Sequence, residues 1–159
     1  MDDAVAVVGM ACRVPGAADV ETFWRNQCDG VDSVRRYTAA ELRASGVDDQ
    51  EDYVAAYGHL DGLADFDAEF FGYSDEEAAL IDPQQRLFLE IAHTALADIG
   101  HEDASVGVYA GAAANRYFLF HVLARLPRTE WEAAIPGSTP DYLPARVAYK
   151  LGLTGPAVA

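Results

Sequence analysis

The sequence is poor in positive charge. Its 159 residues include eleven basic side chains, of which only Lys150 is a lysine, against 26 acidic ones, and the formal net charge is −15. A surface that binds nucleic acid must neutralise rows of phosphates, so this balance speaks against that ligand class. It disfavours an anionic membrane surface for the same reason. Cysteine is scarce as well: Cys12 and Cys28 are too few for a disulfide framework and lack metal or redox spacing. No apolar run is long enough to span a bilayer, and Asp2 and Asp3 stand where a secretory signal needs positive charge. A cytoplasmic protein is expected. Internal repeats and low-complexity linkers are absent, so no boundary divides residues 1–159.

What is present reads as a folded chain. Hydrophobic residues make up 51% and charged residues 23%, a soluble globular balance with enough length for a core. The run Ala4–Gly9, with three valines, predicts a strand buried on both faces, as in parallel sheets covered by helices. After the Pro15-Gly16 turn, Asp19 is placed to cap a helix carrying Val20, Phe23, Trp24 and Cys28 on one side, with Gly30 as its stop. Thr38 and Glu41 form a capping box for a second helix that ends by Gly46. Residues 47–69 are acidic and broken by Gly58 and Gly62, which predicts a surface excursion with at most short strands.

The second half is more regular. Ser74 and Glu77 form another capping box, and Asp82-Pro83 ends the short helix they start. The same pair opens the clearest helix of the chain, with Asp82 at the N-cap, Pro83 first, Gln85 third and Gly100 as terminator. Leu87, Phe88, Ile91, Ala92, Ala95, Leu96 and Ile99 predict its apolar stripe, with Arg86, Glu90, His93 and Asp98 off it. SVGVYAGA (105–112) reads as a second buried strand and NRYFLFHVLARL (115–126) as an aromatic segment. Residues 144–151 predict a helix closed by Gly152, with Arg146 and Lys150 one turn apart. A Thr154-Gly155-Pro156 turn then launches Ala157-Val158-Ala159, the opening of what reads as another buried strand. Strands alternating with helices predict an α/β fold.

Few residues assemble into chemistry. Glu90 and His93 have the spacing of half a carboxylate di-metal site, but no second copy exists, so they read as an exposed polar pair and no metal is expected. Asp61, Asp65, Asp67 and Glu69 lack the alternation and closing glutamate of a calcium loop and read as a solvated acidic face. Gly9 follows a strand, yet neither phosphate-binding glycine pattern is complete, and no nucleotide or other cofactor is expected. Cys12 lies past a strand end beside Arg13, but with no helix start nearby it reads as a buried structural thiol. The histidines, His59, His93, His101 and His121, are scattered and make no triad. Tyr117, Phe118 and Phe120 fit either a pocket or subunit contact, or ordinary core packing.

Five stretches occur in one order at one set of distances: GMACRVPG (9–16), FDAEFFGYSDEEA (66–78), DPQQRLFLE (82–90), GVYAGA (107–112) and DYLPARVAYKLGLTGPAVA (141–159). Together they resemble the N-terminal part of the β-ketoacyl synthase (ketosynthase) domain of modular polyketide synthases, from about Ala4 to the last residue. The resemblance implies an incomplete thiolase-like α/β fold, with most of the N-terminal half in residues 1–159, and normally a homodimer. It also implies that the strand beginning at Gly155-Pro156 runs on to a sharp turn into a helix. There the family carries the nucleophilic cysteine of a T-A-C-S-x-S motif. A helix start lowers a thiol's pKa and stabilises a thioester oxyanion.

That cysteine is absent, as are the two histidines that serve decarboxylation in the family, so no residue is assigned a catalytic role. Gly58-His59 and Gly100-His101 fall in segments matching non-catalytic parts of the pattern. The implied parent reaction is a decarboxylative Claisen condensation of acyl and malonyl-type thioesters borne by acyl carrier protein. Tyr117, Phe118 and Phe120 fall where the family builds dimer contacts and part of the acyl-chain wall. Pro144 stands where a helix-compatible residue is usual, so it is expected in a first turn. The −15 charge fits poorly with docking an acidic carrier, and a basic docking surface is expected outside these residues. Two functions follow: a ketosynthase part stopping short of its nucleophile and inactive alone, or a non-catalytic dimerisation or scaffold module derived from the same fold.

Overall fold

The computed structural model describes residues 4–47, 53–97, 99, 105–113 and 116–159. Contacts gather into two compact units: Ala11–Gly62, and the residues up to Met10 together with Leu63–Ala159. No linker in the sequence marks that division.

In the Ala11–Gly62 unit, helix α1 (Val20–Asp29) starts where Asp19 accepts the Thr22 amide at 2.7 Å and stops at Gly30, whose φ of 66° is left-handed. Strand β1 (Val34–Arg36) pairs antiparallel with β2 (Ala56–Gly58) across an excursion that contains helix α2 (Ala39–Ala44). The Thr38–Glu41 capping box of α2 is complete in both directions. Two expectations need correction. The side of α1 bearing Phe23, Trp24 and Cys28 is exposed, Trp24 to 67%, and no residue of α1 is buried. Cys12 is only half-buried, because it sits in a loop and not under a packed layer.

The larger unit holds helices α3 (Asp75–Leu80), α4 (Pro83–Ala97), α5 (Trp131–Ala134) and α6 (Tyr142–Lys150), with strands β3 (Val108–Tyr109) and β4 (Ala157–Val158). Ser74 and Glu77 cap α3 reciprocally. Asp82 begins α4 as its spacing predicts: one carboxylate oxygen accepts the Gln84 amide at 2.8 Å and the other its side-chain amide at 3.2 Å. Helix α6 begins two residues earlier than expected, which leaves Pro144 in its first turn, where a missing N–H costs no helical bond. Its end is a Schellman motif: Leu153 N–H reaches the Ala148 carbonyl at 2.8 Å and Gly152 (φ 66°) that of Tyr149 at 3.4 Å.

The core packs Phe71, Leu89, Val108, Val147 and Ala148 together, with Phe66, Tyr73, Phe88, Leu151 and Leu153 against them. Here the predicted stripe of α4 shifts. Leu89, left out of it, is fully buried and Gln85 nearly so, while Leu87, Phe88, Ile91, Ala92, Ala95 and Leu96 are half-buried. Helix α4 is covered on more than one side, so burial there does not follow a single stripe. Gly100 and Asp98 lie outside the described residues. The Ala4–Gly9 run is a further correction. Val5 is 94% exposed and, among the described residues, the run has no ladder partner. A valine run marks a strand suited to burial on both faces, but burial needs covering layers, and the described residues supply none. Gly9 alone is tightly held: a β-carbon there would come 2.8 Å from the Ala95 carbonyl oxygen.

Leu89→Ala should destabilise the chain by about 2–5 kcal/mol. Chemical denaturation with an unchanged slope checks it; a loss under about 1 kcal/mol would remove Leu89 from the centre of the core. At the surface, the Thr22 amide chiefly holds the Asp19 carboxyl below its ordinary range, and the Thr38 amide does the same for Glu41. Both folded pKa values are depressed, so this stabilisation is present above the unfolded values near ~4 and is lost as pH falls through the folded ones. Carboxyl titration by NMR should place both midpoints below those of unfolded peptides, and Asp19→Asn should flatten the acid limb of stability below about pH 4.

Candidate functional site

The strand that ends the chain is set by backbone contacts. Gly155 N–H donates to the Val106 carbonyl at 2.9 Å, Val108 N–H to Pro156 at 2.7 Å and Ala110 N–H to Val158 at 3.1 Å. The pairing is parallel, with Val108 opposite Ala157 and Tyr109 opposite Val158. It requires glycine at 155, where a β-carbon would overlap the Val106–Gly107 peptide, and is eased by glycine at 107, where one would sit a tight 3.1 Å from the Pro156 ring. So Ala157-Val158 forms a strand, as expected, and joins the sheet of Val108–Tyr109. Val5–Val8 does not share that sheet, and the expected burial of β4 is not found: Val158 remains 47% exposed.

Helix α6 lies on both strands, and Arg146 ties it down. The guanidinium donates from Nε to Gln85 Oε1 at 2.8 Å, from one terminal nitrogen to the Tyr73 hydroxyl at 3.0 Å and from the other to the Pro136 carbonyl at 2.6 Å. Gln85, 2% exposed, turns its amide nitrogen to the Thr139 carbonyl at 3.1 Å. The partners are neutral oxygens, so this is a geometric clamp and not an ion pair. Sequence reading noted Arg146 without seeing the clamp; a glutamine facing an arginine across 61 residues leaves no local signal. One turn on, Lys150 donates to the Gly72 carbonyl at 2.9 Å with its ammonium 3.5 Å from the Tyr73 ring centre. Burial pushes its pKa down, against the nearby Glu77 charge. The two cations edge an open groove of about 370 Å³ with Tyr142 and Tyr149.

The residues singled out by sequence are dispersed. Tyr117 donates its hydroxyl to the Ala79 carbonyl at 2.8 Å and stacks on His121, Phe118 is half-buried, and Phe120 is 68% exposed. They ride on a π-helical turn, Phe118–Val122. His93 meets Phe70 and Phe71 edge-on, with ring centres 5.0 and 6.0 Å away, whereas His59 bridges the Tyr37 hydroxyl (3.0 Å) and Asp61 (3.3 Å). Asp67 caps a turn by accepting the Phe70 amide. His101 lies outside the described residues.

The family model of the beta-ketoacyl synthase N-terminal domain matches residues 2–159. The chain belongs to the β-ketoacyl synthase family. It is 37% identical to a component of the phenolphthiocerol/phthiocerol polyketide synthase of Mycobacterium tuberculosis, over 99% of this chain and 12% of that protein. It is 38% identical to the pikromycin polyketide synthase component PikAII of Streptomyces venezuelae, over 99% of this chain and 4% of that one. Among solved structures, the ketosynthase from module 1 of the bacillaene synthase of Bacillus amyloliquefaciens FZB42 superposes with a TM-score of 0.80 at 31% identity, over 96% of this chain and 28% of that one. The oxazolomycin ketosynthase domain OzmH KS7 of Streptomyces albus JA3453 gives 0.80 at 30% identity, over 99% and 29%. The chain thus spans 12% or less of these curated relatives and under a third of these solved ketosynthases.

The fold is therefore an incomplete thiolase-like α/β fold, and the chain is a polyketide synthase ketosynthase segment. No helix among the described residues is long and apolar enough to cross a membrane. Arg146→Met should cost about 1–3 kcal/mol by orphaning the Gln85 and Pro136 oxygens. Adding Gln85→Leu should recover part of the loss in a double-mutant cycle, whereas Arg146→Lys should not, since a point ammonium cannot span three acceptors. An unmoved denaturation midpoint in Arg146→Met would show that the clamp does not hold α6.

Proposed function

We propose that the chain serves as the N-terminal part of a polyketide synthase ketosynthase whose complete domain joins acyl and malonyl-type units by decarboxylative Claisen condensation. The observation that supports this reading is the parallel docking of β4 on β3, since β4 is the strand that, by the resemblance, precedes the nucleophile. In the complete domain a cysteine thiolate attacks the carbonyl of a carrier-bound acyl thioester. A new thioester forms on the cysteine and the carrier thiol leaves with a proton. The extender then loses carbon dioxide, and the resulting carbanion attacks the cysteine thioester, forming the carbon–carbon bond and releasing the cysteine. Two steps through a covalent intermediate replace one difficult displacement.

The chain by itself is inactive on this reading, since neither Cys12, half-buried in a loop, nor Cys28, exposed within α1, sits at a helix start. The partners are acyl carrier protein and, in the complete domain, a second copy, in the cytoplasm. Tyr117 and Phe118 contribute to the acyl-chain wall or the subunit contact, with Phe120 beside them. The exposed Val5, Val7 and Val8 favour a second reading, a non-catalytic dimerisation module whose apolar surface a partner covers.

A ketosynthase polypeptide that continues these residues through the T-A-C-S-x-S motif should gain one acyl mass on that cysteine when given an acyl thioester, while residues 1–159 alone gain none. A complete domain that stays unacylated, or acylation of Cys12 or Cys28, would overturn the catalytic reading.

A further inference from the structure

Helix α6 is the last helix before β4, and the connection between them has little slack. Leu151 N–H bonds the Val147 carbonyl at 3.0 Å and Leu153 N–H the Ala148 carbonyl at 2.8 Å, and both leucines pack against the core. Thr154 alone separates that tie from Gly155, whose amide is held by Val106. Proline fixes φ at the next position. A small rotation or slide of α6 is therefore passed on to β4. The apolar side of α6 does not prevent one: Leu143 and Val147, each 1% exposed, ask only to be covered, and apolar surfaces accept more than one packing. Arg146 does prevent it. Its three nitrogens reach Gln85, Tyr73 and Pro136, which belong to three separate segments, and Gln85 is itself fixed by Thr139. No carboxylate among the described residues forms an ion pair with Arg146, so its part here is direction more than charge.

We propose that Arg146 is a positioning residue of the ketosynthase reaction: by fixing the rotation of α6 it fixes β4, the strand that by the resemblance precedes the nucleophile. This role rests on the function proposed above. In the acyl-transfer step the cysteine sulfur forms a bond to the thioester carbonyl carbon. The bond from that carbon to the donor sulfur breaks, and the departing thiol takes up a proton. Arg146 acts through α6 and β4 and touches none of these atoms; its effect is on where the attacking sulfur stands. Alignment of this kind is steep, since a misplacement on the order of 1 Å costs about 10²-fold in rate. Binding of the acyl donor depends far less on it. Loss of the guanidinium therefore lowers the saturated rate and leaves half-saturation nearly unchanged. An ammonium in the same place keeps the charge but cannot bond three acceptors at once, so lysine does not substitute.

The test uses the complete ketosynthase polypeptide containing these residues and an acyl N-acetylcysteamine thioester. Acylation of the cysteine is followed by mass at a temperature where every variant is folded. R146M should lower the saturated acylation rate at least about tenfold, with half-saturation within about threefold. R146K should stay close to R146M. L42A, which empties a buried position of the Ala11–Gly62 unit, serves as a destabilised control and should keep the rate within about twofold. Where R146M fails to fold, Y73F removes one acceptor and should give a smaller loss in the same direction. The role is overturned by an unchanged rate in R146M, or in Y73F where it takes its place, and by an equal loss in L42A. Recovery in R146K overturns it by making charge the active element, and a loss confined to half-saturation does so by moving Arg146 to donor binding. An unmutated domain that is never acylated sinks the proposed function. Normal acylation of the unmutated domain beside an unchanged R146M sinks only the positioning role.

Discussion

At Gly155 two peptide planes approach more closely than any side chain would permit, and the course of β4 depends on that approach. The Gly155 amide bonds the Val106 carbonyl, and the next bonds of the parallel ladder run from Val108 to Pro156 and from Ala110 to Val158. Glycine at 107 leaves room for the Pro156 ring on the other side of the same contact. A pair of two-residue strands is weak alone. It is held because α6 lies across both, pressing Val147 and Ala148 into the cluster with Leu89, Val108 and Phe71. Proline at 156 removes one donor but leaves its carbonyl to accept from Val108, so the register survives.

The same region shows why polar groups are sunk beneath α6. An apolar residue in place of Gln85 would pack as well, but it could not tell one rotation of α6 from another. A guanidinium fitted to three neutral oxygens can, because its donors lie in a rigid plane and each acceptor comes from a different segment. The arrangement contributes modestly to stability and strongly to uniqueness. Lys150 repeats the idea more loosely, spanning to the Gly72 carbonyl and the face of Tyr73. Segments 72–73, 85, 136–139 and 146–150 are thereby fixed against one another through oxygen atoms that carry no charge.

What the sequence disclosed follows from how far each signal reaches. The caps at Asp19, Thr38, Ser74 and Asp82 were legible because a cap is settled within four residues. The first-turn position of Pro144 was legible for the same reason. Burial was less so. Leu89 and Gln85 are inside because α4 is covered from more than one direction, and a stripe drawn from periodicity assumes one. Val5–Val8 has the composition of an interior strand and lies open, since composition records what a segment suits and not what covers it. Strand β1, three exposed residues between the Gly30 turn and the Thr38 cap, has no alternation to read; its partner lies beyond α2. Of the candidate site, the path of β4 was legible as a motif, whereas the Arg146 clamp was not, because its partners are far apart in sequence.

The distribution of charge bears on how such a chain stays in solution. Trp24, Val5, Phe120 and Tyr149 are each more than two-thirds exposed, a load of apolar surface that favours association. A net charge of −15 opposes association between copies through mutual repulsion. Salt screens that repulsion but leaves the exposed apolar surface as it is, so raising the ionic strength moves the balance toward association.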